Sequence, residues 1–84
     1  MILYAAIKIG SYIYVDYRHH LCIAKMNKEG QKGGIQGFVN ESGEFLDRKQ
    51  ALEEAIRCNQ IVKKHGSQNI LFSEDIWPVI KDAK

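Results

Sequence analysis

Proline and cysteine are nearly missing from this chain: one proline, Pro78, and two cysteines, Cys22 and Cys58, in 84 residues. A small secreted domain is usually stapled by several disulfides. Two thiols set in helical patterns beside apolar neighbours instead read as reduced core thiols of a cytoplasmic protein. Long hydrophobic runs are missing too. The N-terminal MILYAAIKIG is apolar but too short to span a bilayer, and Lys8 interrupts it. It has neither the basic leader nor the cleavage site of a signal peptide. Neither sign of charge dominates: the net charge is +2. That speaks against a nucleic-acid polymer as partner and leaves room for a local basic pocket. No repeat, low-complexity tract or linker divides the chain, so residues 1–84 are expected to form a single domain. A core this small is marginal alone, which points to a homo-oligomer, dimer or tetramer.

What is present orders itself into two hairpins and two helices. Apolar runs at Ile2–Ile9 and Tyr12–Val15 flank Gly10-Ser11, a two-residue hairpin turn. The near-continuous apolarity of the first run predicts a strand covered on both faces or lying at a subunit interface. Asp16 as N-cap and Gly30 past the end predict a helix from about Tyr17 to about Glu29. After the glycine-rich GQKGG, the segments IQGFV and EFL flank NESG, a second hairpin. Gly37 within it signals a bulge or a close backbone approach. Asp47 and Gln50 form a capping-box pair. The stripe Ala51, Leu52, Ala55, Ile56, Asn59, Val62, at i, i+3/i+4 spacing, predicts a long helix from Arg48 to His65, ended by Gly66. ILF at Ile70–Phe72 reads as a short strand or an extended piece, and Ser73 as the cap of a helical turn that Pro78 limits. The order ββα-ββα-β is α+β: a small antiparallel sheet with two helices, most simply on one face.

Several polar residues are not explained by folding. Arg18, His19 and His20 sit in the first turn of the earlier helix, where unbonded amides and the helix dipole favour an anion. Adjacent histidines diverge on a helix, so the competing structural reading has one packed and one facing solvent. They make a poor metal pair, and no second Cys/His pair completes a tetrahedral site. Arg48, at the first position of the later helix, opposes the dipole. It either bonds a carboxylate such as Asp47 or Glu44 or points at an anion. GQKGG matches no phosphate-loop spacing, although its amides with Lys32 and Gln36 are suited to cradle a phosphate. The serines sit at turns and caps, and neither cysteine has the surroundings of an activated thiolate.

The pattern RHH…QGFV…SGEFLDRKQALEEA…NQI…LFSEDIWP resembles a large family of short phage and prophage proteins over nearly the whole chain, Ala6 to Trp77. Arg18, His19, His20, Gln36, Gly37, Phe38, Gly43, Phe45, Arg48, Ala51, Gln60 and the block Leu71–Trp77 carry the resemblance. Asn59 departs from it, standing where the family pattern has glycine before the glutamine. Some small phage proteins of similar appearance act as sponges that bind cyclic nucleotide immune signals and block cyclic-oligonucleotide defence (anti-CBASS proteins). The resemblance therefore implies a phage immune-evasion protein in the host cytoplasm. It would hold a cyclic dinucleotide such as cGAMP without cleaving it and without a cofactor, metal or membrane. The ligand-binding residues expected are Arg18, His19, His20, Gln36, Gly37, Phe38 and Arg48. A protein-interaction module that inhibits a host factor is the alternative. A phosphodiesterase using two of His19, His20 and His65 is a more distant one.

Overall fold

The computed structural model describes residues 1–64, 66 and 69–77. In chain order the elements are β1 (Ile2–Ile9), β2 (Tyr12–Asp16), α1 (His19–Lys28), β3 (Ile35–Asn40), β4 (Phe45–Asp47), α2 (Arg48–Arg57) and the single turn α3 (Ser73–Ile76). The four strands form one antiparallel sheet in the order β2-β1-β3-β4. This is the expected α+β class.

Strand β1 lies inside the sheet, paired with β2 through the Gly10-Ser11 turn and with β3 on its other edge. Strand alternation then sorts its side chains. Ala5 and Ile7 point to the side where the helices pack and are buried, whereas Tyr4 and Lys8 point to the opposite side. Two apolar clusters fill the helix side. Ile2, Ala5 and Phe38 meet Ala51, Leu52 and Ala55 of α2 together with Leu71 and Ile76. Ile7 meets Cys22 and Met26 of α1. On the opposite side Ala6 is fully buried as well, but Tyr4 and Lys8 are exposed and no described helix packs there, so β1 is covered on both faces only at its centre.

Helix α1 begins two residues later than the sequence suggests. Asp16 stays in β2, paired with Ala5, and its carboxylate accepts the Tyr17 N–H at 2.7 Å and pairs with Lys25 at 3.1 Å. Arg18 occupies the N-cap with no side-chain capping bond. The helix ends as expected at Gly30, whose N–H bonds Asn27 O while the Gln31 N–H reaches Met26 O at 2.8 Å. These are the two bonds of a Schellman cap.

Helix α2 starts where the capping box places it, with Asp47 accepting from Gln50 N at 2.8 Å and Gln50 bonding Asp47 N at 3.1 Å. It stops at Arg57, eight residues before the expected end at His65, which itself lies outside the described residues. The reason is a second Schellman cap. Gln60 N bonds Ala55 O at 2.8 Å, Asn59 N bonds Ile56 O at 3.1 Å, and Asn59 takes a left-handed φ of 58°. The carboxamide of Gln60 then docks on the backbone of Ile2, accepting its N–H at 2.7 Å and donating to its carbonyl at 3.0 Å. The apolar stripe expected to run on to Val62 is therefore buried only at Ala51, Leu52 and Ala55.

The last expected strand is not formed. Ile70–Phe72 joins no sheet; Leu71 is buried and gives its N–H to Arg48 O at 3.0 Å. Phe72, not Ser73, caps the helical turn that follows. That turn is held by the fully buried carboxylate of Asp75, which accepts from Phe72 N at 2.9 Å and from Lys64 Nζ at 2.7 Å. Pro78 lies outside the described residues. Cys22 and Cys58 are free thiols, the first buried and donating to Ala5 O at 3.6 Å, the second only half-buried.

Candidate functional site

The start of α1, the start of α2 and the turn α3 meet around a cleft of about 270 Å³ lined by Arg18, His19, His20, Arg48, Phe72, Ser73 and Glu74. Each arginine arrives by a different route. Arg18 stands at the α1 N-cap, and one of its terminal nitrogens donates to the carbonyl of Trp77. Arg48 opens α2; its Nη2 donates to Gln36 Oε1 at 2.5 Å, and its guanidinium lies 5.0 Å from the centre of the Phe72 ring. Of the two fates the sequence leaves open for Arg48, a bond to Asp47 or Glu44 is not the one taken. Its partners are a neutral carboxamide and an aromatic face.

Both guanidiniums are left incompletely satisfied. Arg18 Nη1 and Arg48 Nε are buried without a hydrogen-bond acceptor. Among the described residues no carboxylate lies within 4.0 Å of either as an ion-pair partner. Burial pulls the proton affinity of Arg48 down, and the field of Glu74 in the same cleft acts against that shift. A guanidinium remains charged under any ordinary condition, so the cleft holds two fixed cations with N–H groups to spare, tempered by one carboxylate.

The two adjacent histidines do different work. His19 is 9% exposed, shares a 2.7 Å hydrogen bond between its Nε2 and Gly37 O, and sets its ring edge-on to Phe38 at 5.0 Å. Removal from water lowers its pKa below the usual 6.5. A neutral ring donating from Nε2 to the carbonyl satisfies these facts together. It ties the first turn of α1 to β3. His20 is exposed at the rim of the cleft.

The remaining expected residues separate. Gln36 meets the cleft only through its bond to Arg48. Phe38 is fully buried under His19 and Trp77 and does not line the cleft. Gly37 faces the other side of the sheet, where the Phe45 ring lies against it. A Cβ at this position would come within 2.7 Å of that ring and 2.1 Å of Leu46 O. The close backbone approach expected of Gly37 is thus one of strand and ring, within the fold. The glycine-rich loop does not reach the arginines. With Lys32 and Gln36 it borders a separate cleft of about 240 Å³. Phe72, Ser73 and Glu74 complete the arginine cleft, although the sequence marks them only as part of the Leu71–Trp77 block and of a helical turn, not as site residues. Nothing local in SEDIW signals that this turn folds back against the α1 N-terminus.

Among the described residues no three His, Cys, Asp or Glu side chains gather as metal ligands would. No described helix is long and apolar enough to cross a membrane. No curated protein and no solved structure matches the chain. A family model does, over residues 1–77, the span that contains every described element and every described residue of the arginine cleft. The chain belongs to the family of the phage T4 y16D protein.

Proposed function

We propose that this phage protein binds and sequesters a cyclic dinucleotide defence signal, of the cGAMP type, without cleaving it. The observation that carries this reading is the convergence of Arg18 and Arg48 on one cleft, each with a buried N–H that has no acceptor in the protein. An unsatisfied buried donor costs about 1–3 kcal/mol, and a phosphate oxygen is the acceptor best matched to a guanidinium fork. Two arginines suit a ligand with two phosphates. The amides of the first turn of α1, with no acidic residue among them, favour the same charge.

Binding without cleavage is supported by the state of the histidines. His19 is held by the backbone and kept neutral by burial, while His20 is exposed at the rim, within the field of Asp16. Among the described residues neither histidine is hydrogen-bonded to a carboxylate that would orient it as a general base. We further propose a homo-oligomer built on the uncovered side of the sheet. Tyr4, Ile13, Val15 and Ile35 are exposed there, and Lys8 and Asp47 leave that surface without net charge. An identical face is therefore not repelled, and pairing two of them makes an isologous sandwich. The same apolar face favours the second reading, a module that docks on a host protein.

The test is calorimetric titration and thermal shift with a panel of cyclic dinucleotides, followed by recovery of the ligand after long incubation. At least one member should bind and be recovered intact. Arg48→Ala should weaken that binding by about 2–5 kcal/mol, and Arg48→Lys, which keeps the charge but loses the fork, should restore only part of it. Silence across the whole panel sinks the reading.

A further inference from the structure

We infer that the ligand groove continues past Arg48 into a second subsite, shaped for a nucleobase, between α1 and the glycine-rich loop. The inference rests on the phosphate reading of the arginine cleft and assigns its neighbour. This second cleft, of about 240 Å³, has Ile7 and Met26 as buried floor, Ile23 as wall, and the carboxamides of Asn27, Gln31 and Gln36 at its edge.

Three observations join the two clefts. Gln36 lines the second cleft while its Oε1 accepts from Arg48, which lines the first. That bond engages the oxygen of the Gln36 carboxamide and not its N–H donors. Next, the α1 residues at the two clefts, His20 in the first and Ile23 and Asn27 in the second, follow the three-to-four-residue spacing of one helix face. Finally, His20 and Asn27 are seven residues apart, about 10 Å along a helix axis. This is the reach of one nucleotide from its phosphate to the far edge of its base.

The chemistry of the lining fits that occupant. An apolar floor receives the face of a heterocycle. Carboxamides offer a donor and an acceptor on one group, the pattern that pairs with base edges. Lys32, exposed on its long stem at the rim, is the one charged side chain of the lining, so the interior is neutral. A phosphate seated at Arg18 and Arg48 therefore has its own base placed against Ile23 and Asn27.

Calorimetric titration with ribose 5-phosphate and the four ribonucleoside 5′-monophosphates tests this. At least one monophosphate should bind ten-fold or more tightly than ribose 5-phosphate. The helix-surface double variant Ile23→Ala/Asn27→Ala should abolish that advantage while leaving ribose 5-phosphate affinity unchanged, with its circular dichroism confirming the fold. Equal affinity for all five probes overturns the base subsite and leaves the arginine cleft standing. So does an advantage that survives the double variant. If none of the five binds, the phosphate reading fails and the base subsite fails with it.

Discussion

Asn59 carries a backbone φ of 58° at the position after the C-cap of α2, with both Schellman hydrogen bonds formed around it. That conformation is costly for most L-residues, tolerable for asparagine and free for glycine. The glycine that the phage-family pattern places before Gln60 is thereby explained as a helix stop. Asn59→Gly should raise stability by about 0.5–1 kcal/mol in urea denaturation; a loss would contradict the cap assignment. His19 gives a pH dependence whose sign follows from its burial. Its folded pKa lies below the unfolded value of 6.5, so the unfolded chain binds more protons between the two. Stability contributed by neutral His19 is complete above 6.5, falls as the pH drops through that value, and levels once the folded pKa is passed. The urea midpoint should decrease between about pH 7.5 and about pH 5.5. His19→Gln, which retains an N–H donor, should flatten the slope. Glu74 lines the same cleft as both arginines, so Glu74→Gln should strengthen anion binding in calorimetry and lower its salt dependence little. Weaker binding would mean that the carboxylate itself contacts the ligand.

The hairpins, the start of α2 and the end of α1 depend on local chemistry and are legible in the sequence; the start of α1 is not, because Asp16 stays paired in β2. Gly10-Ser11, the Asp47–Gln50 box and Gly30 each act within a few residues of the boundary they set. What escaped depends on distant contacts. The expected helix to His65 continued an apolar stripe, but the helix is stopped by Asn59 and the chain is then captured by Ile2. Gln60 supplies that capture through two hydrogen bonds to the first strand, across 58 residues. Gln60→Ala should cost about 2 kcal/mol, measured as loss of thermal stability, because two backbone groups lose their partner. The candidate site divides in the same way. Arg18 and Arg48 stood out because local helix physics did not account for them. Phe38 looked similar by pattern and is core. Phe72, Ser73 and Glu74 are hidden in the sequence because distant contacts place that segment: Lys64 on Asp75, the Leu71 N–H on Arg48 O, and Arg18 on the carbonyl of Trp77. Gly37 is an element-scale constraint as well. Gly37→Ala would drive a methyl into Leu46 O and the Phe45 ring, at a cost of about 3 kcal/mol or more.

At the scale of the whole molecule, the sheet separates two unlike surfaces. Its helix side carries the core and both clefts, with the cations at the junction of α1, α2 and α3. Its other side, from Ile13 and Val15 across Tyr4 to Ile35, is apolar and uncovered by any described element. A homo-oligomer through that side leaves the clefts open to ligand in every copy. Sedimentation should therefore show an assembly that Ile13→Lys/Ile35→Lys dissociates, while ligand affinity per chain is retained. Loss of binding on dissociation would place the ligand between subunits. The central claim is that two arginines brought together by the fold hold an anionic nucleotide that the protein does not cleave. The most direct measurement is native mass spectrometry of the wild-type protein and the Arg18→Ala/Arg48→Ala variant, each incubated with a panel of cyclic dinucleotides. The account predicts an intact dinucleotide retained by the wild type and lost from the variant while its assembly is unchanged. Equal retention by both proteins, or a cleaved product on the wild type, would contradict it.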